Sequence, residues 1–240
     1  MTTPPAPPSR RAIRSARIRR PSRALVARVM RTLNAIVETY GLPVVEKIAE
    51  ESRADPFKVL VSTMLSARTQ DATTDAASRR LFARARTPRS VGGLTITEIE
   101  RLIYPVSFYR HKARHVKEAC RLIVERHGGK VPATMDELLS LPGVGRKTAN
   151  LVMIVAHRSP DNICVDTHVH RIANRLGWVR TRTPDETEQA LYRAIERRWW
   201  SRINLYLVTW GQRVCRPIGP KCSACAICGL CPRVGVTRHA

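Results

Sequence analysis

Five of the seven cysteines of this 240-residue chain lie between positions 215 and 231. A disulfide framework spreads its cysteines along a chain to join distant loops, so this crowding predicts a metal site in a reducing compartment. Spacing alone offers two sets of four ligands. One is the evenly spaced run Cys222, Cys225, Cys228 and Cys231, and the other replaces Cys228 with Cys215. An iron–sulfur cluster and a zinc ion held by four thiolates are both open at this point.

The chain is strongly basic, with 42 Lys and Arg against 19 Asp and Glu and a net charge of +23. This charge predicts a polyanionic partner, with nucleic acid as the first candidate, although a bias toward arginine on solvated surfaces gives the same sign. Apolar residues make up 43% of the chain, enough for a core in one large domain or two small ones. No run of about 18 apolar residues exists, so no membrane span is predicted.

Residues 1–23 contain no acidic residue and are rich in Arg and Pro, which predicts a disordered basic tail. Such a segment fits an arm that contacts phosphates or a transit peptide, since transit peptides are also Arg-rich and poor in acids. It lacks the apolar stretch of a secretory signal. We interpret it as a tail that is not cleaved.

Helical periodicity dominates the rest of the chain, and no alternating strand of useful length occurs, so we predict an all-α protein of about ten helices. Along the first helix one face is lined by Leu25, Val29, Leu33, Ile36 and Tyr40. Asp55 caps the next predicted helix and Pro56 opens it. Three further starts have the capping-box pattern, namely Thr95 with Glu98, Thr134 with Glu137, and Thr183 with Glu186.

The segment LPGVG, residues 141–145, joins two of these helices. Gly143 and Gly145 allow a tight turn and a close approach to a partner, and the second helix begins at Arg146. The N–H groups of the turn and of the helix start form an anion nest that suits a phosphate. A plain helix–helix turn is the alternative.

LPGVGRKTAN, followed downstream by VDTHVHRIANRLG, resembles the helix-hairpin-helix base-excision DNA glycosylases, and most closely their endonuclease III branch. The resemblance covers roughly residues 24–235. It implies a two-lobed, all-α fold. One lobe would be a six-helix barrel with the hairpin, residues 49–160. The other would be an iron–sulfur domain built from residues 24–48 and 161–235.

Lys147 lies in the first turn after the hairpin, where the helix dipole favours a neutral, nucleophilic amine. From the residues alone a phosphate-binding lysine is the better interpretation, but the resemblance matches Lys147 to the family's lysine nucleophile. Asp166 is expected to cap the following helix. The resemblance also makes it the catalytic aspartate, which would stabilise the oxocarbenium-like charge and assist proton transfer. For His168 we predict a solvated or phosphate-facing, DNA-binding role and not a catalytic one.

Two loops resemble the family's wedge loops, which fill the gap left by an extruded nucleotide. LSARTQD, residues 65–71, is similar to LSAQxTD, with Arg68 at the position of the inserted Gln. This departure affects the expected opposite-base preference. SFYRHKA, residues 107–113, is similar to GLYxxKA, and Phe108 would be the apolar wedge.

The resemblance also selects among the cysteines. The branch uses the spacing of Cys215, Cys222, Cys225 and Cys231 for a [4Fe–4S] cluster, which makes Cys228 the spare thiol. A cluster that folds this short segment would present neighbouring basic residues to the phosphate backbone, so its implied role is structural and DNA-binding.

The implied function is a bifunctional glycosylase and β-lyase that removes oxidised pyrimidines from duplex DNA as a monomer. Adenine glycosylases carry a catalytic Glu where Ser62 stands here, and mismatch thymine glycosylases usually lack the lysine. A non-catalytic iron–sulfur DNA-binding protein is the alternative from another class. The expected compartment is the bacterial cytoplasm, at the nucleoid, or a mitochondrion or nucleus in a eukaryote.

Overall fold

The computed structural model describes residues 21–240, so the predicted basic tail lies outside the described residues except for its last three positions. In residues 21–240 the regular structure is helical and contains no strand, and no helix there is long and apolar enough to cross a bilayer. Twelve α-helices are described: α1 Arg23–Val37, α2 Val44–Glu51, α3 Pro56–Ser66, α4 Asp71–Arg84, α5 Pro88–Gly92, α6 Ile96–Ile103, α7 Tyr109–His127, α8 Met135–Leu139, α9 Arg146–Val155, α10 Thr167–Arg175, α11 Pro184–Ala194 and α12 Trp200–Arg213.

The buried apolar side chains form two clusters, and each is the core of one lobe. The first lobe is built from α2 to α9. Its centre is α3, which is apolar nearly all round, as a fully buried helix requires. The second lobe is built from α1 and from α10 to α12, together with the cysteine-containing segment. Burial of these faces is the main favourable contribution to folding.

The chain crosses between the lobes twice. The first crossing falls between Val37, which packs in the second lobe, and Val44, which packs in the first. This differs from the predicted boundary at residue 48, because the apolar face of α2 lies against α3 and not against α1. The second crossing is an extended segment in which Ile163 and Val165 point into the second core and Cys164 points into the first.

The predicted helix starts are present, but only some have the predicted bonds. Asp55 accepts hydrogen bonds from the backbone N–H groups of Phe57 and Lys58 at 2.9 and 3.3 Å. Thr95 and Glu98 form a complete capping box. The other two boxes are half formed, because Glu137 binds the hydroxyl of Thr134 and not its N–H, and Glu186 accepts from the N–H of Arg182.

In α1 the buried face is shifted from the predicted one. Val29 and Leu33 are buried as expected, but their companions are Val26, Met30 and Val37. Leu25, Ile36 and Tyr40 are only partly buried, and α1 ends at Val37, before Tyr40.

Candidate active site

A cleft of about 360 Å³ lies between the two lobes, within the roughly 300–1,000 Å³ range typical of small-ligand sites. Its walls come from the starts of α2, α4, α9 and α10, from the loop after α3 and from one face of α12. Lys147, Asp166, His168 and Arg68 all line it. Four residues predicted from three separate motifs therefore meet in one place.

Lys147 is exposed in the first turn of α9 and lines the cleft. Its side chain has no hydrogen-bond or ion-pair partner among residues 21–240, so the amine is available to a ligand. Its backbone carbonyl accepts a hydrogen bond from Cys164 Sγ at 3.5 Å. This contact ties the start of α9 to the second crossing segment, which leads directly to Asp166.

Asp166 is the N-cap of α10, as predicted. Its Oδ1 accepts hydrogen bonds from the backbone N–H groups of His168 and Val169 at 2.8 and 2.9 Å. Both bonds use the same oxygen, which leaves Oδ2 free to act on a group in the cleft. The cap fixes the carboxylate against rotation, because a helix start is a rigid mount.

Glu46, in the first turn of α2, is a cleft residue that the sequence did not indicate. Burial raises its pKa from 4.5 to about 7; the carboxylates of Asp71 and Asp166 act in the same direction, whereas its backbone N–H and Lys147 oppose the rise. Near neutral pH this carboxyl group is therefore partly protonated and can donate a hydrogen bond.

His168 is held by the second lobe. Arg171 Nη2 lies 3.1 Å from its Nδ1, and because a guanidinium can only donate, Nδ1 accepts and the proton of the neutral ring lies on Nε2. Burial lowers the pKa of His168 below its usual value, so the ring is neutral at pH 7. A Cβ on Gly211 would lie 2.5 Å from Nδ1, so glycine is required there.

Arg68 and Phe108 lie side by side at the edge of the cleft. The guanidinium carbon of Arg68 is 6.0 Å from the centre of the Phe108 ring, and 59% of Phe108 is exposed. Both residues have left-handed backbone angles, with φ of 55° and 57°. Such conformations cost roughly 1–3 kcal/mol each for a non-glycine residue and are typical of functional loops.

The hairpin places Gly143 and Gly145 between α8 and α9. Gly143 has a φ of +77°, and a Cβ there would lie 2.8 Å from Cβ of His115, so no other residue fits. Gly145 is the N-cap of α9 with an extended backbone, and a Cβ there would meet nothing within 4 Å. The surface above Gly145 is therefore open to a partner.

Arg146, which we predict to contact DNA from the start of α9, has its side chain engaged within the protein. Its guanidinium forms a two-point ion pair with the carboxylate of Glu188 in the second lobe, whose side chain is 3% exposed. Only the backbone N–H of Arg146 stays in the predicted nest. The sequence could not reveal this pair, because its members are 42 positions apart on different lobes.

All five C-terminal cysteines line a single small pocket beside α10 and α12. Within residues 21–240 no three His, Cys, Asp or Glu side chains are grouped so that they could hold a single metal ion. Arg175 Nη1 donates to Cys215 Sγ at 3.3 Å, and the backbone N–H of Arg233 donates to Cys231 Sγ at 3.3 Å. Five thiols around one small pocket, with N–H groups directed at two of the sulfurs, fit the donor chemistry of an iron–sulfur cluster.

A family model described as HhH-GPD superfamily base excision DNA repair protein matches residues 61–197. This range contains the hairpin, Lys147, Asp166 and both wedge loops. The chain therefore belongs to the helix-hairpin-helix superfamily of base excision DNA repair proteins.

Its relatives define the branch. Endonuclease III of Thermotoga maritima is 44% identical over 197 residues, which cover 82% of this chain and 92% of that protein. Endonuclease III-like protein 1 of Mus musculus is 41% identical over 208 residues, or 85% of this chain and 69% of that one. A solved non-covalent endonuclease III–DNA complex shares the fold with a TM-score of 0.78 and 31% identity, covering 89% and 96% of the two chains. Within the superfamily the chain lies in the endonuclease III branch, which confirms the resemblance and the predicted fold class.

Proposed function

We propose that this protein is a bifunctional DNA glycosylase and abasic-site lyase that removes oxidised pyrimidines from duplex DNA. The observation that carries the proposal is the meeting of an unpaired lysine amine, Lys147, with a capped carboxylate, Asp166, in one cleft beside an open hairpin. An amine and a carboxylate are the two groups that base removal followed by strand cleavage requires.

In the proposed reaction the Lys147 amine attacks C1′ of the damaged nucleotide while the glycosidic bond breaks and the base leaves. Asp166 stabilises the positive charge that develops on the sugar and takes the proton that the attacking amine loses. The sugar ring opens to give an imine between Lys147 and C1′. Loss of a C2′ proton then breaks the C3′–O bond, which cuts the strand on the 3′ side of the lesion.

The surroundings of the cleft support this branch over the adenine-specific one. Ser62 stands where the adenine enzymes carry a catalytic Glu, and it is fully buried inside α3, away from the cleft. The proposed wedge pair, Arg68 and Phe108, projects next to the cleft mouth, where it would enter the space left by the extruded nucleotide. Gly143, Gly145 and the first N–H groups of α9 would bind a phosphate, and His168 would contact the DNA through Nε2–H.

We further propose that the cysteine-lined pocket holds a [4Fe–4S] cluster on Cys215, Cys222, Cys225 and Cys231. The hydrogen bond from Arg175 favours this set, because it reaches Cys215, which the evenly spaced run does not contain. The bond from the Arg233 N–H reaches Cys231, which both sets share. When bound, the cluster would supply a structural anchor for the basic loop around residues 216–221. We expect a monomer that acts on double-stranded DNA with damaged bases or abasic sites in a reducing compartment.

Borohydride trapping tests the chemistry. On duplexes with thymine glycol or an abasic site, the wild-type protein should give a covalent adduct. Lys147→Gln should give none, because an amide cannot form the imine, while its DNA affinity stays within about threefold since no fold contact is lost. An adduct in the variant would place the nucleophile elsewhere, and no adduct with wild type would favour a monofunctional enzyme or a DNA-binding protein.

The ligand set is tested by two matched variants. Cys228→Ser should keep the visible absorbance of an iron–sulfur protein and its iron content, whereas Cys215→Ser should lose both, because it removes a ligand sulfur. The opposite pattern would show that the evenly spaced run holds the cluster. Zinc with no visible absorbance would exclude iron–sulfur altogether.

A further inference from the structure

The two loops that carry Arg68 and Phe108 belong to different parts of the first lobe, yet the structure joins them through one partly buried hydrogen-bond network. We propose that Lys112, on α7, is a positioning residue that locks both loops into a single rigid unit, on which extrusion of a base from duplex DNA depends. This inference rests on the proposed function and assigns a task to a residue that the reaction itself does not use.

Lys112 binds the first loop. Its Nζ donates to the carbonyl oxygens of Leu65 and Ala67, both at 2.6 Å, and to the hydroxyl of Thr69 at 3.2 Å. An ammonium group has three protons, and all three are used. The carbonyls belong to the end of α3, where the helix dipole is negative, so a cation is favoured there.

Thr69 passes the contact on to the second loop. Its Oγ1, which accepts from Lys112, also accepts from the backbone N–H of Ser107 at 3.2 Å. Ser107 precedes Phe108, and Thr69 follows Arg68. Each wedge residue is therefore flanked by a member of the same hydrogen-bond network.

A lock is needed at this place because both wedge residues have left-handed backbone angles. Such a residue keeps its conformation only when its surroundings hold it there. Arg68 and Phe108 themselves touch only through the cation–ring contact at 6.0 Å, and both are exposed. The hydrogen bonds of Lys112 and Thr69 beneath them can keep the two side chains aligned while they enter the stacked bases.

The environment of Lys112 differs from that of a lysine on a DNA-binding surface. It is partly buried, and burial lowers its pKa to about 8, with the nearby Lys147 acting in the same direction. Its protons point into the protein at close range. The charge is therefore used inside the first lobe, and a phosphate contact is not its task.

Lys117 offers a matched control on the same helix. It is also partly buried, and its Nζ donates to the carbonyl oxygens of Gly92, at 2.8 Å, and Leu94. That loop follows α5 and contributes nothing to the cleft. Lys112→Met and Lys117→Met each remove a partly buried lysine of α7 that donates to backbone carbonyl oxygens. Only the first substitution loosens the wedge loops.

The test compares base removal from a thymine glycol duplex with strand cleavage at an abasic site in single-stranded DNA, under single-turnover conditions. A single strand has no stack to enter, so the wedge is not needed there. Lys112→Met should lower the rate on the duplex about 10- to 100-fold, since misplaced groups of this kind cost about that much. Its rate on the single strand should stay within about threefold of wild type. Lys117→Met should change neither rate.

A binding readout is independent of chemistry. With 2-aminopurine placed opposite the lesion, wild type and Lys117→Met should raise its fluorescence as the wedge unstacks it. Lys112→Met should bind with little rise. Lys112→Arg, which keeps the charge and the donors, should recover part of both signals. Thr69→Val, which keeps the shape but removes the shared hydroxyl, should reproduce the loss if Lys112→Met does not fold.

The outcomes separate this inference from the proposed function. If wild type cleaves neither substrate, the proposed function fails. If wild type cleaves both, and Lys112→Met loses single-stranded and duplex activity equally, or falls no further than Lys117→Met on the duplex, Lys112 is a general stability residue and the inference is overturned.

Discussion

The two carboxylate oxygens of Asp166 are used differently. Oδ1 accepts the backbone N–H groups of the helix start, and Oδ2 is left for a group in the cleft. With Oδ1 fixed at 2.8 and 2.9 Å from two N–H groups, Oδ2 is held toward the cleft without further support. A single residue thus fixes the start of α10 and places a carboxylate beside the cleft. The sequence predicted the cap, and the structure adds that the two oxygens are used differently.

The raised pKa of Glu46 makes the stability of the protein depend on pH. Because its folded pKa is raised from 4.5 to about 7, the unfolded chain ionises first as pH rises. Its contribution to stability is therefore present below pH 4.5 and is lost as pH rises through 7. An ionised carboxylate held near Asp71 and Asp166 destabilises the folded protein at alkaline pH.

We therefore expect Glu46→Gln to stabilise the protein at pH 8 by on the order of 1–2 kcal/mol relative to wild type, with little difference at about pH 4.5. Urea unfolding across this range measures it. Glu50→Gln, at an exposed position of the same helix, is the control and should show no such dependence. A gain equal at both pH values would mean that charge at position 46 is not the cause.

At the scale of elements, the hairpin uses its two glycines for different reasons. Gly143 is needed for its positive φ and for the close packing of His115, both of which are internal to the fold. Gly145 has an ordinary backbone conformation and an open surface above it. Its lack of a side chain matters only when something outside the protein comes close.

This difference predicts opposite phenotypes. Gly143→Ala should lower stability by about 1–3 kcal/mol, because it combines backbone strain with a steric clash. Gly145→Ala should change stability by less than about 0.5 kcal/mol, yet weaken DNA binding where a phosphate would approach. Thermal unfolding and a fluorescence binding assay on the two variants separate the effects. Equal stability losses would show that both glycines serve the fold.

At the scale of the whole molecule, the cleft exists only because two lobes are held at a fixed separation. Arg146 and Glu188 join α9 of one lobe to α11 of the other, and the carboxylate is almost fully buried. The same arginine is adjacent to Lys147. The ion pair thus links the position of the candidate nucleophile to the lobe that carries Asp166.

Removing one partner should leave a buried charge without compensation. Arg146→Met is expected to cost roughly 2–3 kcal/mol of unfolding free energy, less than a fully buried pair because the arginine is partly exposed. Arg197→Met breaks the exposed pair with Asp161, whose side chains are 64% and 55% exposed, and should cost under about 1 kcal/mol. If the double variant Arg146→Met, Glu188→Met were no more stable than Arg146→Met alone, the uncompensated charge would not be the cause.

Local sequence determines several features of this protein. Helix starts at Asp55, Thr95 and Asp166 depend on partners two or three residues away, so the residue types determine them. The hairpin turn depends on Gly143, a position where only glycine fits. Short and specific sequence patterns made three features recognisable: Lys147, Asp166 and the crowded cysteines.

The tertiary structure decided the contacts between distant residues. Glu46 lines the cleft from α2. Arg146 pairs with Glu188 of the other lobe. Lys112 lies below two loops that are more than 35 residues apart in the chain. None of these follows from periodicity or spacing, because a single lysine or glutamate carries no signal of where the chain will return. Their pKa values and bonds depend on burial, and burial is a property of the packed lobes.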